Sequence, residues 1–77
     1  MKIITRQGTE IEIKKNSIRI GQQVIKGSIF YADPGAVNTQ TLNNLSDQPA
    51  IGKVLVVFEK QGQEPLYVSA PIKSVLN

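Results

Sequence analysis

Apolar and polar residues alternate with a period of two through much of the first third of the chain. Ile11 and Ile13 stand between Glu10, Glu12 and Lys14, and Ile18 and Ile20 stand beside Ser17 and Arg19. Successive side chains of a strand point to opposite faces, so this period predicts half-buried strands. Isoleucine and valine strengthen the prediction, because branching at Cβ stiffens the first side-chain torsion and suits a pleated surface. Gln7-Gly8 and Lys15-Asn16 fall between the alternating runs and predict hairpin turns, since glycine and asparagine accept the positive φ of tight turns. Gly21 is expected to end the third strand. A fourth, from Gln23 to Tyr31, is expected to put Ile25, Ile29 and Tyr31 on one face.

Asp33-Pro34-Gly35 breaks the period, as a proline that presets φ followed by a glycine marks a turn. From Ala36 to Gly52 the chain is rich in Asn, Gln, Thr and Ser, and Val37, Leu42 and Leu45 are its large apolar residues before Ile51. Those spacings suit either a loop or a short helix capped by Asn38 or Thr39. Val54 to Phe58 is an unbroken apolar run with Lys53 and Glu59 at its ends, the pattern of a central strand covered on both faces. Gln61-Gly62 predicts another hairpin. Beyond it Leu66, Val68 and Ala70 alternate with Tyr67 and Ser69, the period of a strand. Pro65 lacks an N–H, so that strand should begin there or lie at an edge. Pro71 closes it, and Ile72 to Leu76 forms a last half-turn or short strand. The expected fold is all-β, with room for one short helix, in a single domain spanning residues 1–77. Its form is a small barrel or two-layer sheet of about five or six strands joined mainly as antiparallel hairpins.

Composition narrows the chemistry. A chain of 77 residues buries only roughly 60 to 65% of the surface its unfolded form exposes, so the core must be small. Cysteine and histidine are both absent. With them go the disulfide staple, the usual nitrogen and sulfur ligands of a structural zinc, the thiol nucleophile and the commonest general base. Asp33 and Asp47 sit in turn contexts where an aspartate bonds its own backbone, and Glu59 and Glu64 flank a turn. The glycines match no phosphate-binding spacing. No catalytic residue, cofactor or metal site is assigned, and the expectation is a protein that is not an enzyme. The opening residues hold no apolar stretch of the kind a secretory signal needs. Val54 to Phe58 is far shorter than the roughly 18 residues of a spanning helix. A soluble, cytoplasmic protein with no membrane partner is expected, and the lack of cysteine suits a reducing compartment.

Charge is unevenly spread. Residues 1–26 hold Lys2, Arg6, Lys14, Lys15, Arg19 and Lys26 against Glu10 and Glu12, while Lys53, Lys60 and Lys73 face Asp33, Asp47, Glu59 and Glu64 in the remainder. Such asymmetry steers acidic partners to one side of a molecule. The leading functional expectation is a non-catalytic binding or regulatory protein that acts by protein–protein contact. The segment from Asp33 to Gly52 is its candidate contact loop, because an irregular stretch of that length is usually functional in a compact domain. Val37, Leu42 and Leu45 are the candidate partner contacts. The alternative is a small β-protein that binds single-stranded RNA or DNA, with Lys14, Lys15, Arg19 and Lys26 as candidate phosphate contacts and Tyr31 or Tyr67 as stacking surfaces. A structural subunit of a larger assembly ranks third, and self-association is open.

Overall fold

The computed structural model describes residues 1–35, 45–60 and 63–77. Among them are eight strands and no helix: β1 Lys2–Thr5, β2 Glu10–Ile13, β3 Ser17–Ile20, β4 Gln23–Lys26, β5 Ser28–Ala32, β6 Val54–Phe58, β7 Tyr67–Val68 and β8 Ile72–Leu76. They form a five-stranded sheet in the order β4-β3-β2-β1-β8 and a three-stranded sheet in the order β5-β6-β7. Every pairing is antiparallel. The fold is therefore all-β and two-layered. The stretch from Ala36 to Gln48, for which loop and short helix stood open, falls largely outside the described residues, as do Val37, Leu42 and the Gln61-Gly62 turn.

The strand count exceeds the expected five or six because Ile72–Leu76 forms a full strand, β8, and because the predicted strand from Gln23 to Tyr31 is broken at a corner. Gly27 separates β4, in the first sheet, from β5, in the second. A Cβ at Gly27 would overlap the Phe58 carbonyl oxygen and lie 2.9 Å from Val57 Cγ1. Only a residue without a side chain lets the chain turn against the end of β6. A second corner, Ser69 to Pro71, carries the chain back from β7 to β8. Strands that switch sheets at bends are the usual way two packed layers share a chain.

The hairpins follow the expected boundaries with one difference in mechanism. Gly8 takes φ 84° and its N–H donates to the Thr5 carbonyl at 2.9 Å, as anticipated for the β1–β2 turn. Among the described residues no side-chain-bearing residue has a positive φ. The Lys15-Asn16 turn is therefore made without the left-handed conformation that asparagine was expected to supply. The Lys14 N–H donates to the Ser17 carbonyl at 2.9 Å and closes it.

Two apolar clusters use the two faces of β6. Ile3, Ile11, Ile18, Tyr31, Leu55, Val57 and Ile72 are buried together between the sheets, with Ile25 and Ile29 packed against them, so Ile25, Ile29 and Tyr31 meet in one cluster, from two strands of different sheets rather than from one face of a single strand. On the outer face of the three-stranded sheet, Ala32, Val54, Val56 and Phe58 are buried, with Phe30 and Leu45 against them. The Phe30 and Phe58 rings tilt at 60° with centroids 6.1 Å apart, a favourable offset arrangement. All five residues of β6 are buried, as its unbroken apolar run implied.

At β7 the two alternating sets of side chains go to opposite faces. Tyr67 packs into the inner cluster and Ser69 is buried, while Leu66 and Val68 are exposed. The reason is hydrogen bonding at the corner. Ser69 Oγ accepts from the Leu55 N–H at 2.8 Å and donates to the Ala70 carbonyl at 2.7 Å, while its own N–H donates to the Leu55 carbonyl at 2.9 Å. The hydroxyl stands in for a ladder carbonyl where the strand bends. Replacing Ser69 with Ala should strand the buried Leu55 N–H at a cost of about 1–3 kcal/mol. At about 4–8 °C per kcal/mol for a domain of this size, the melting temperature should fall by at least several degrees. A Ser69→Ala protein melting with the parent would show that the hydroxyl is dispensable.

Candidate functional site

Two surfaces stand out, one on the outer side of each layer. On the five-stranded sheet the cross-strand register places Lys2 opposite Glu12, Glu12 opposite Arg19, and Arg19 opposite Val24, all on the solvent face. The next row toward the β2–β3 turn holds Lys14, Ser17 and Lys26, with Ser17 paired to Lys26 and hydrogen-bonded through its carbonyl to Lys14. Lys14, Ser17, Arg19, Gln22 and Val24 line an open depression of about 270 Å³. Three of the four basic residues singled out from the sequence thus share one end of one face. Lys15 occupies the neighbouring turn and is exposed.

The aromatic half of the nucleic-acid expectation is placed elsewhere. Tyr31 is buried and Tyr67 half-buried against the inner cluster. Burial pushes both phenols above their ordinary pKa of 10.0, which keeps them neutral. Neither faces the basic surface, so neither offers a base a platform there.

The second surface is the outer side of the three-stranded sheet. Val68 lies directly opposite Val56 in the β6–β7 register, so its side chain continues the outer apolar cluster across the sheet. At its centre that cluster is covered. At its β7 edge it opens, with Leu66 50% and Val68 44% exposed. Alternation alone does not single out these two residues, because it does not say which face of the strand is covered.

At the opposite edge of the sheet, the 33–52 segment is pinned to β5 at Ser46. Ser46 exchanges two backbone hydrogen bonds of 2.8 Å with Tyr31, and its Oγ accepts from the Gln48 N–H at 3.1 Å. Leu45, one of the three candidate contacts, packs half-buried on the outer cluster. Asp33 and Lys53 pair at 2.8 Å across the base of the segment, and Ile51 is 71% exposed beside it.

Among the described residues there is no group of three or more Asp or Glu placed to hold a metal ion. No buried side-chain polar atom among them lacks a hydrogen-bond partner. No helix of the described residues is long and apolar enough to cross a membrane. No protein-family model, curated protein or solved structure matches this chain.

Proposed function

We propose that this chain is a non-catalytic binding domain that acts by contact with another protein, through the outer side of its three-stranded sheet. The observation that carries the reading is the open β7 edge of the outer apolar cluster, where Leu66 and Val68 stand exposed beside buried Val56. An apolar strip that runs out of cover at a sheet edge is the usual mark of a docking surface. β7 has two residues and lies between Pro65 and Pro71, so its backbone is poorly suited to extending the sheet into a partner. Recognition therefore rests on side-chain burial against an apolar surface of the partner.

Energetics assign a share to the 33–52 segment. Covering the remaining exposed half of Leu66 and Val68 is worth roughly 1 kcal/mol each. A micromolar complex needs about 8 kcal/mol. The exposed Ile51 and the Asn, Gln, Thr and Ser content of the 33–52 sequence suit that segment to a share of the remaining contact. A cytoplasmic setting goes with this reading.

The test compares captures from a native-host lysate by the parent and by two charge variants of equal fold. Leu66→Asp with Val68→Asp alters exposed positions and should keep the parent melt while losing the captured protein by tenfold or more. Lys14→Glu with Arg19→Glu should still capture it. An unchanged capture by the β7 variant would place the contact elsewhere.

A further inference from the structure

The basic end of the five-stranded sheet has a feature that the outer apolar surface does not explain. In the row that runs Lys2, Glu12, Arg19 the signs alternate, and Glu10 lies 3.9 Å from Lys2 as well. The adjacent row of Lys14, Ser17 and Lys26 contains no carboxylate. Strands lie about 4.8 Å apart, so Lys14 and Lys26 stand about 10 Å apart at their backbones with Ser17 between them, and Arg19 lies about 7 Å along β3. Like charges gathered on one sheet face destabilise it. A glutamate at position 17 would neutralise both lysines, yet a serine stands there and lines the depression beside Lys14 and Arg19.

The carboxylates of the chain are Glu10, Glu12, Asp33, Asp47, Glu59 and Glu64. The ion pairs among the described residues are Lys2–Glu10 and Lys53–Asp33. Lys14, Arg19 and Lys26 belong to neither. The guanidinium of Arg19 donates from Nε to the Gly21 carbonyl at 3.1 Å, a bond that uses one of its five N–H groups and steadies the rest at the rim. Ser17 and Gln22 add neutral donors to the same depression.

We propose that this surface binds the sugar–phosphate backbone of a single-stranded nucleic acid, with one phosphate seated among Lys14, Ser17 and Arg19 and a neighbouring one against Lys26. The cations reach beyond the depression, across three strands and into the turn at Lys15, which exceeds what one isolated phosphate would engage. The surface is an open sheet face, with no helix or ribbon among the described residues to enter a duplex groove. With Tyr31 and Tyr67 turned inward, binding takes its energy from phosphates and is indifferent to base identity. Glu10 and Glu12 lie on this sheet beside Lys2 and Arg19, while Asp33, Asp47, Glu59 and Glu64 lie outside its five strands, so the end of the sheet that holds Lys14, Lys15 and Lys26 is the most positive and orients an approaching polyanion.

The test is fluorescence anisotropy with labelled twelve-nucleotide oligothymidylate and oligoadenylate, alongside phosphatidylserine-containing vesicles and polyglutamate. Dissociation constants of about 1–100 μM at low salt are expected, and they should agree within about threefold between the two oligonucleotides. Each phosphate neutralised on a single strand contributes about −0.7 to the salt slope, so three to four cations should weaken binding roughly 20- to 50-fold between about 50 and 200 mM salt. Lys14→Glu with Arg19→Glu should melt as the parent does and lose at least tenfold in affinity, while Leu66→Asp with Val68→Asp should bind unchanged. Absence of oligonucleotide binding at low salt overturns the proposal. So does full affinity in the Lys14/Arg19 variant, or equal or tighter binding to the vesicles or to polyglutamate.

Discussion

Replacement of Val56 with Asp is expected to abolish the cooperative melt. Val56 is fully buried at the middle of the central strand of the three-stranded sheet, flanked by Phe30 on β5 and Val68 on β7. Its side chain joins Ala32, Val54 and Phe58 in the outer cluster. Lys53, the cation closest to it in sequence, is already paired with Asp33 at 2.8 Å. A carboxylate placed there is either ionised without a partner or protonated with its polar atoms unsatisfied. The protonated form costs roughly 2–7 kcal/mol. The lost burial of valine adds about 1.5–3 kcal/mol. The stability of a chain this long is on the order of 4–12 kcal/mol. Val56→Thr keeps the shape and introduces only a hydroxyl, so it should fold with a melting temperature lowered by several degrees. Circular dichroism melts of the two variants check the series. A Val56→Asp protein with a cooperative transition close to the parent's would refute the two-sided burial of β6.

Much of this architecture is legible in the residue pattern, and the failures have identifiable causes. Ile11 and Ile18 face the core, and β6 is buried on both sides, because period and apolar continuity report directly on burial. The corner at Gly27 escapes that reading. Ile25 and Ile29 are an even number of residues apart, so the alternation runs through the bend as though it were absent. At β7 hydropathy favours Leu66 and Val68 for the interior, but the corner needs an acceptor for the Leu55 N–H, and the Ser69 hydroxyl supplies it. A hydropathy pattern carries no record of that demand.

The candidate surfaces divide in the same way. That Lys14 and Glu12 share a face follows from spacing within one strand. That Lys14 and Lys26 flank Ser17 follows from register between strands, which depends on where each hairpin turns. The opening of the outer cluster at β7 depends on which strand ends the sheet, a property of topology rather than of any local run of residues.

Gly27→Ala is expected to lower the melting temperature by roughly 5–20 °C. The cause differs from that of the usual glycine substitution, because Gly27 does not adopt a positive φ. A methyl group there would overlap the Phe58 carbonyl oxygen and approach Val57 Cγ1 to 2.9 Å. The side-chain contact can adjust, whereas the carbonyl is fixed in β6, so relief requires the β4–β5 corner to move. Moving it strains the Gly27 N–H bond to the Asn16 carbonyl, 2.9 Å long, which ties the corner to the β2–β3 turn. Overpacking of this kind costs about 1–3 kcal/mol. For a domain of this size each kcal/mol shifts the midpoint by about 4–8 °C. Gly8→Ala is the informative comparison, because an added Cβ there meets nothing within 4 Å and the cost comes only from φ 84°. Trimming Val57 to Ala in the Gly27→Ala background should not restore the parent melt, since the carbonyl overlap persists. A Gly27→Ala protein that melts within about 2 °C of the parent, or one fully rescued by Val57→Ala, would show that the corner does not press on the backbone of β6.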